Sequence, residues 1–227
     1  MAEIKIRPYQ ASDQQAVYQI AADTAFFGEP VEAFMDDRRL FCDLFISYYL
    51  TANAQYCWVV EDGAQIVGYL LGSTENPIRS RRWQQHILYQ VLPGVLKGHY
   101  HIGMRTIRYA SGMLASYLRG EEPPVDKAAY PAHLHVNVRE NQRGKGIGAK
   151  LITTYLLQLA DQGLQGVYLH TTNHNQAACH LYEKLGFQVL SQRPNGYWSH
   201  WFGFPVDNRS YGIKLDQFKA SAAAENR

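Results

Sequence analysis

The chain has 227 residues, 46% of them hydrophobic and 19% charged, which is enough length and apolar content to bury a core without disulfide or metal staples. A formal net charge of +2 argues against a dedicated nucleic-acid binder. No segment is apolar for long enough to cross a bilayer and the opening MAEIKIRPYQ does not read as a signal peptide, so a cytoplasmic setting with no membrane partner is expected.

Along the chain, EIKIRPY alternates and reads as a first strand. SDQQAVYQIAADTAFF follows with helical spacing and Ser12 as its candidate cap. FMDDRRLFCDLFISYYLT has apolar positions three and four apart and reads as a second helical stretch. AQYCWVVEDGAQIVGYLLGS reads as two strands joined by a tight turn at Asp62-Gly63. From Asn76 to about Tyr130 the strand rhythm stops. RSRRWQQHILYQVLPGVL and GMRTIRYASGMLASYLRG read as helical, interrupted at Pro93-Gly94, and GEEPPVDKAAYP reads as a loop. Then come a strand (AHLHVNV), a helix (AKLITTYLLQLADQG), a strand (GVYLHT) and a helix, NQAACHLYEKLG, with Gly186 as its C-terminal cap. FQVLSQR is a strand, and YWSHWFGF and SYGIKL could supply one or two more. The order β-α-α-β-β, insert, β-α-β-α-β implies a mixed sheet with helices on its faces. Cys42, Cys57 and Cys179 lie far apart with no metal or redox spacing, so buried thiols and no metal site are expected.

The stretch RENQRGKGIGAKLI, residues 139–152, carries the chemistry. A strand, a glycine-rich turn and a helix start make an anion site, because the first N–H groups of the helix have no internal partners and the helix dipole adds positive charge there. Arg143 and Lys145 add full charges, and a pyrophosphate is the natural guest. A nucleoside triphosphate would need G-x-x-x-x-G-K-[ST], which is absent. GKGIGA meets the relaxed dinucleotide pattern, but the next strand ends in His170 and Thr171 without the carboxylate that would take a ribose.

RGKGIG fits the R/Q-x-x-G-x-G/A signature of the Gcn5-related N-acetyltransferases, and NQAACHLYEKLGFQVL resembles that family's later motif. IKIRPYQASD and VVEDGAQIVGYLLG also resemble its first strand and middle hairpin. The resemblance covers roughly 1–75 and 130–200. YPAHLHVNVRENQRGKGIG is similar to a subgroup related to the acetyltransferase-like domain of O-GlcNAc hydrolases, whose members often carry an aspartate where this chain has Asn137. The resemblance implies a GNAT fold of the α/β (α+β) class: a mixed, mostly antiparallel sheet with helices on both faces and a helical insert between the third and fourth strands. It implies one domain over 1–227, with 76–130 as the insert or lid.

It further implies acetyl-CoA as co-substrate and an amine-bearing acceptor. Arg143, Gly144, Lys145, Gly146, Ile147 and Gly148 would hold the pyrophosphate. The strand edge at Val136 and Val138 would pair with the pantetheine amides, and an N–H near Val138 would polarise the thioester carbonyl. Asn175 reads as a helix cap, as a pantetheine contact, or as both. Tyr182 reads as a core tyrosine or as the general acid that protonates the leaving thiolate. His133, His135 and Asn137 share one strand face, which suggests a wet cleft; His135 is the candidate base, with Glu140 weaker, and these residues could equally bind neighbouring loops. If the missing aspartate serves as a base in relatives, Asn137 requires another group or none. A non-catalytic acyl-CoA-binding module is the rival reading.

Between Glu75 and Glu121 the insert has no acidic residue, but it carries Arg79, Arg81, Arg82, Lys97, Arg105, Arg108 and Arg119 among several aromatics. This basicity could attract an acidic acceptor, or it could be a solvated helical face over core aromatics. YWSHWFGF could line an acceptor site or form a dimer edge, so both monomer and homodimer stay open.

Overall fold

The computed structural model describes residues 4–74 and 81–219; Asn76 and Arg79, at the start of the expected insert, lie outside the described residues. Seven strands, β1 (Ile4–Pro8), β2 (Trp58–Asp62), β3 (Gln65–Ser73), β4 (Ala132–Val138), β5 (Gly166–Thr172), β6 (Gln188–Pro194) and β7 (Asp207–Lys214), hydrogen-bond in the order β1-β2-β3-β4-β5-β7-β6. β4 and β5 run parallel, paired at Ala132↔Val167 and His133↔Tyr168, while the β1–β2, β2–β3, β5–β7 and β6–β7 pairs are antiparallel. This is the mixed sheet that the element order implies, and mostly antiparallel as the resemblance implies. By contact density the chain divides into two compact units, Met1–Ile107 with Leu134–Tyr155, and Arg108–His133 with Leu156–Arg227.

In the first unit, α1 (Gln14–Asp23) buries Val17, Ile20 and Ala21, one face of a 3.6-residue period. Its start differs from the sequence expectation. Ser12 lies inside a short 3-10 turn (Ala11–Asp13), and Asp13 takes the capping position. Asp13 is also fixed there by an ion pair, since Arg7 grips both its carboxylate oxygens (2.7 and 2.8 Å) and reaches Glu61 as well (2.5 Å). The second helical stretch forms two helices, α2 (Arg38–Phe45), capped by Asp37 on the Leu40 N–H (2.8 Å), and α3 (Ser47–Ala52). The hairpin turn sits one residue later than expected, since Asp62 pairs with Gln65 and leaves Gly63-Ala64 as the loop. Packed together, Val17, Ile20, Tyr48, Tyr49, Val59, Tyr69 and Leu71 form a hydrophobic core.

The inserted helix α4 (Arg81–His86) passes through a π segment (Ile87–Val91) into α5 (Leu92–Leu96). The expected interruption at Pro93-Gly94 does not occur, because the proline falls in the first turn of α5, where its missing N–H is tolerated. Three carboxylates from 36–43 hold the chain that follows: Asp43 accepts from the Tyr100 hydroxyl (2.9 Å), Asp37 from the His101 N–H (2.8 Å), and Asp36 from the Thr106 N–H and hydroxyl (2.9 Å each). The acids that the insert lacks are thus supplied from a distant part of the chain. α6 (Met104–Leu118) continues from Thr106 into the second unit.

The second unit is built on β7, which pairs with β5 over seven positions and with β6 through a register shift between Val189 and Ser191. α7 (Ile147–Asp161) starts in the first unit and ends in this one. α8 (Gln176–Lys184) buries Cys179 and Tyr182, and Gly186 follows it in the left-handed conformation (φ +88). YWSHWFGF forms a helix, not a strand: α9 (Gly196–Phe202). Asn195 caps it through the Trp198 N–H (2.8 Å) and Gly203 (φ +74) ends it, so both terminal signals override the β-propensity of the aromatic run. All three cysteines are free and buried, as expected. Among the described residues no helix is long and apolar enough to cross a membrane.

Candidate active site

β4 brings the residues singled out in HLHVNV into two different environments. In the second unit, His133 is buried and stacked on Tyr168 with ring centroids 5.4 Å apart, so that end of the face is not wet. In the first unit, His135 keeps an exposed surface and meets the Tyr49 ring edge-on at 5.6 Å. Burial by the protein around it lowers its pKa to about 4. The two facts are compatible for a ring with one open side and protein on the others: water reaches it, but not enough water to solvate an imidazolium. His135 is therefore neutral at pH 7.

Asn137 is half-buried, and its Nδ2 donates to the Tyr69 hydroxyl (3.1 Å). Burial pushes the Tyr69 phenol up, so it stays protonated. The amide in the place of an aspartate is thus committed to a neutral hydrogen bond inside the first unit. Val136 and Val138 are half-buried on the same strand.

Past β4, a 3-10 turn (Glu140–Gln142) leads to Arg143 and the glycines. Gly144 and Gly146 hold φ values of +77 and +74, and a Cβ added at either would meet no atom within 4 Å. Their conformation explains glycine, but no protein atom presses on them, so the space in front of the turn is open. Gly146 C=O accepts the first helical bond from the Lys150 N–H (3.1 Å), which leaves the N–H groups of Ile147, Gly148 and Ala149 without helical partners. Arg143 lies against the turn at Gly28: its Nη2 donates to Gly28 C=O (3.3 Å), and a Cβ on Gly28 would stand 2.8 Å from Nη1. Lys145 Nζ donates to Gln142 Oε1 (2.7 Å), and Gln142 in turn donates to Asp62 (3.1 Å). Among the described residues, neither Arg143 nor Lys145 forms an ion pair with a carboxylate. The turn therefore presents uncompensated positive charge beside unpartnered backbone donors.

The second unit carries Asn175 and Tyr182 on one helix. Asn175 caps α8 with its Oδ1 on the Ala178 N–H (3.3 Å), so the capping reading is observed, and the cap uses the oxygen only. Tyr182 is buried, with its ring packed between Phe187 (5.9 Å) and Tyr211 (5.8 Å). Burial raises its phenol well out of the titrating range at neutral pH, which keeps it a proton donor. Tyr211 donates to Glu183 (2.8 Å) and packs against Tyr182, a contact that no local pattern in the chain signals. Gly28 was also missed, although FFGEP is turn chemistry; Phe27 beside it holds φ +52, the one non-glycine with positive φ among the described residues.

A family model described as acetyltransferase (GNAT) family matches residues 15–187. The solved structure of SsHAT is similar over 94% of this chain and 98% of that one, at 28% identity and a TM-score of 0.69. The structure of yncA from Salmonella typhimurium, solved with acetyl-CoA, shares the fold at a TM-score of 0.57 and 15% identity, over 94% of this chain and 95% of that one. Among curated proteins, Protein O-GlcNAcase of Rattus norvegicus is 22% identical over 205 residues, which is 89% of this chain and 21% of that protein. The chain thus spans about a fifth of the length of that relative. The L-amino acid N-acyltransferase MnaT of Escherichia coli is 29% identical over 85 residues, 37% of this chain and 49% of that protein.

Sheet order and these likenesses together define a protein of the N-acetyltransferase fold. The chain belongs to the acetyltransferase (GNAT) family.

Proposed function

We propose that this chain transfers an acetyl group from acetyl-CoA to an amine by direct attack on the thioester. The observation that carries the reading is the turn Arg143–Gly148: two left-handed glycines facing open space, unpartnered helix N–H groups and two cations without carboxylates. Those groups suit a pyrophosphate. The Val136 and Val138 positions of β4 would offer backbone donors and acceptors to the pantetheine amides, and the Val138 N–H would polarise the thioester carbonyl. Asn175 Nδ2 remains for a pantetheine carbonyl while Oδ1 caps α8. As the acceptor nitrogen bonds to the carbonyl carbon, the C–S bond breaks; the leaving thiolate takes the proton of Tyr182, and the amine's proton goes to neutral His135 or through it to solvent. Asn137 is not given a proton-transfer role.

The binding-module reading is favoured by one observation, the weak basicity of His135. Calorimetric titration with acetyl-CoA, beside a free-thiol assay over a panel of amines, separates the two. Binding with thiol release on one amine, lost in Tyr182→Phe, supports the transferase. Binding without release across the panel supports the module, and absence of binding overturns both.

A further inference from the structure

Among the described residues, ten of the fifteen exposed large hydrophobic side chains fall between Leu88 and Leu118. Helix α6 shows why. Its inward positions are Thr106 and Ser116, buried, and Tyr109, Gly112 and Met113, half-buried. Its outward positions include Met104 (70% exposed), Ile107 (52%), Leu114 (59%) and Leu118 (75%), with Ser111 between them. The inner face packs Tyr109 on Tyr197 and Trp198 among smaller residues, and the outer face carries a second, aliphatic stripe where an ordinary surface helix is polar. The outer stripe at 104, 107, 111, 114 and 118 has the 3-4-3-4 spacing of a coiled-coil seam, which packs against another helix at a shallow angle.

We propose that this stripe is a homodimer interface, in which α6 of one copy packs antiparallel on α6 of a second. The stripe is complementary to itself, as a two-fold interface requires. With the two helices antiparallel, one register sets Ile107 against Leu118 of the second copy and Ser111 against Leu114, a layer that the short serine leaves underfilled, and repeats both layers across the dyad. The same register sets Arg108 beside the exposed ring of Tyr117, a guanidinium on an aromatic face. Of the other bases, Arg119, just past the end of the helix, pairs with Glu121 (2.5 Å), and Arg105 donates to Glu32 C=O (3.0 Å) within electrostatic reach of the Glu32 and Asp36 carboxylates, so both are balanced by acids of their own copy. The side chains available would bury on the order of 1,000 Å² in total, the low end for a specific interface, so a dimer of micromolar strength is expected.

Sedimentation velocity of the full chain, from about 1 μM to a few hundred μM, reads this directly. A monomer–dimer equilibrium is expected, abolished by Leu114→Glu and unchanged by Val189→Asp, an exposed apolar control on β6. Ser111→Leu fills the gap in the seam and is expected to tighten the dimer at least tenfold. It also decides the matter if Leu114→Glu does not fold. A monomer at every concentration overturns the proposal, including one that floats with anionic phosphatidylglycerol vesicles. A dimer that survives Leu114→Glu overturns it too, as does a dimer constant unmoved by Ser111→Leu.

Discussion

The turn reading stands or falls on Gly146→Ala. At φ +74 an alanine takes on a left-handed strain of about 1–2 kcal/mol, but its Cβ meets no protein atom. Stability should therefore fall by that amount alone, a drop in Tm of roughly 2–4 °C per kcal/mol for a chain of this size. Binding is affected differently, because the Cβ enters the space where we place the pyrophosphate and tilts the N–H groups that would hold it. Loss of one charge-assisted hydrogen bond, about 1.5–3 kcal/mol, weakens acetyl-CoA roughly 10- to 100-fold. Gly98→Ala is the matched control: φ is +70, and again nothing lies within 4 Å. Thermal melts should score the two variants alike, and calorimetric titration with acetyl-CoA should separate them by at least tenfold. If Gly146→Ala binds acetyl-CoA as tightly as Gly98→Ala, the pyrophosphate does not sit on this turn.

Tyr182→Phe removes only a hydroxyl from a packed ring, so steady-state kinetics should show kcat lowered by about 10²–10⁴ with KM little changed; full turnover would leave Tyr182 as a core residue. His135, with a pKa of about 4, is neutral from pH 5 upward, so a pH–rate profile should show no inflection near 6.5, and the rising limb should follow the pKa of the amine supplied. An inflection near 6.5 that vanishes in His135→Gln would contradict this. Asp13 is held below the usual carboxylate range, first by its hydrogen bonds from Arg7 and also by the Gln10 N–H, against the opposing effect of burial. Its contribution to stability is therefore present above the unfolded carboxylate pKa and is lost as pH falls through the lower folded value. Asp13→Asn leaves Arg7 with Glu61 as its one carboxylate partner and should cost about 2–4 kcal/mol at pH 7 by urea denaturation, with the deficit shrinking in acid.

What could be read from the sequence was local chemistry. RGKGIG reads as an anion turn because three glycines, two bases and a helix start sit within ten residues, and the structure has Gly144 and Gly146 at positive φ directly before α7. The strand readings located β1 to β6 for the same reason. The misses have physical causes of two kinds. At α1 Asp13, held by Arg7, stands at the helix start in place of Ser12, and at α9 the Asn195 and Gly203 caps outweigh aromatic β-propensity. Where a partner lies far along the chain, no local signal exists. Asn137 meets Tyr69 across 68 positions, and Tyr100, His101 and Thr106 are held by Asp43, Asp37 and Asp36 from 57 to 70 positions away. The lack of acids in the insert therefore looked like a free basic surface when part of it is a docked one. The exposed stripe of α6 was invisible for a related reason, since periodicity shows that a helix is amphipathic but not which face turns inward.

The distribution of charge along β4 and its turn also gives Asn137 a rationale beyond an absent base. From Leu134 to Val138 the strand carries no charge at neutral pH, because His135 is held neutral and Asn137 is an amide bound to a protonated tyrosine. Five residues later Arg143 and Lys145 are charged and unmatched by carboxylates. A ligand with phosphates at one end and a thioester at the other meets the same gradient in reverse: anionic groups on the cationic turn, and a neutral acyl group on a neutral strand. An aspartate at 137 would place a negative charge on the strand whose Val138 N–H is to stabilise a developing oxyanion, and at short range in a poorly solvated setting that repulsion works against transfer. It would help only if the carboxylate took the proton itself. On the proposed reading, with Asn137 tied to Tyr69 the strand would position the thioester and polarise its carbonyl, and proton removal would fall to His135 or to an acceptor that arrives as the free amine.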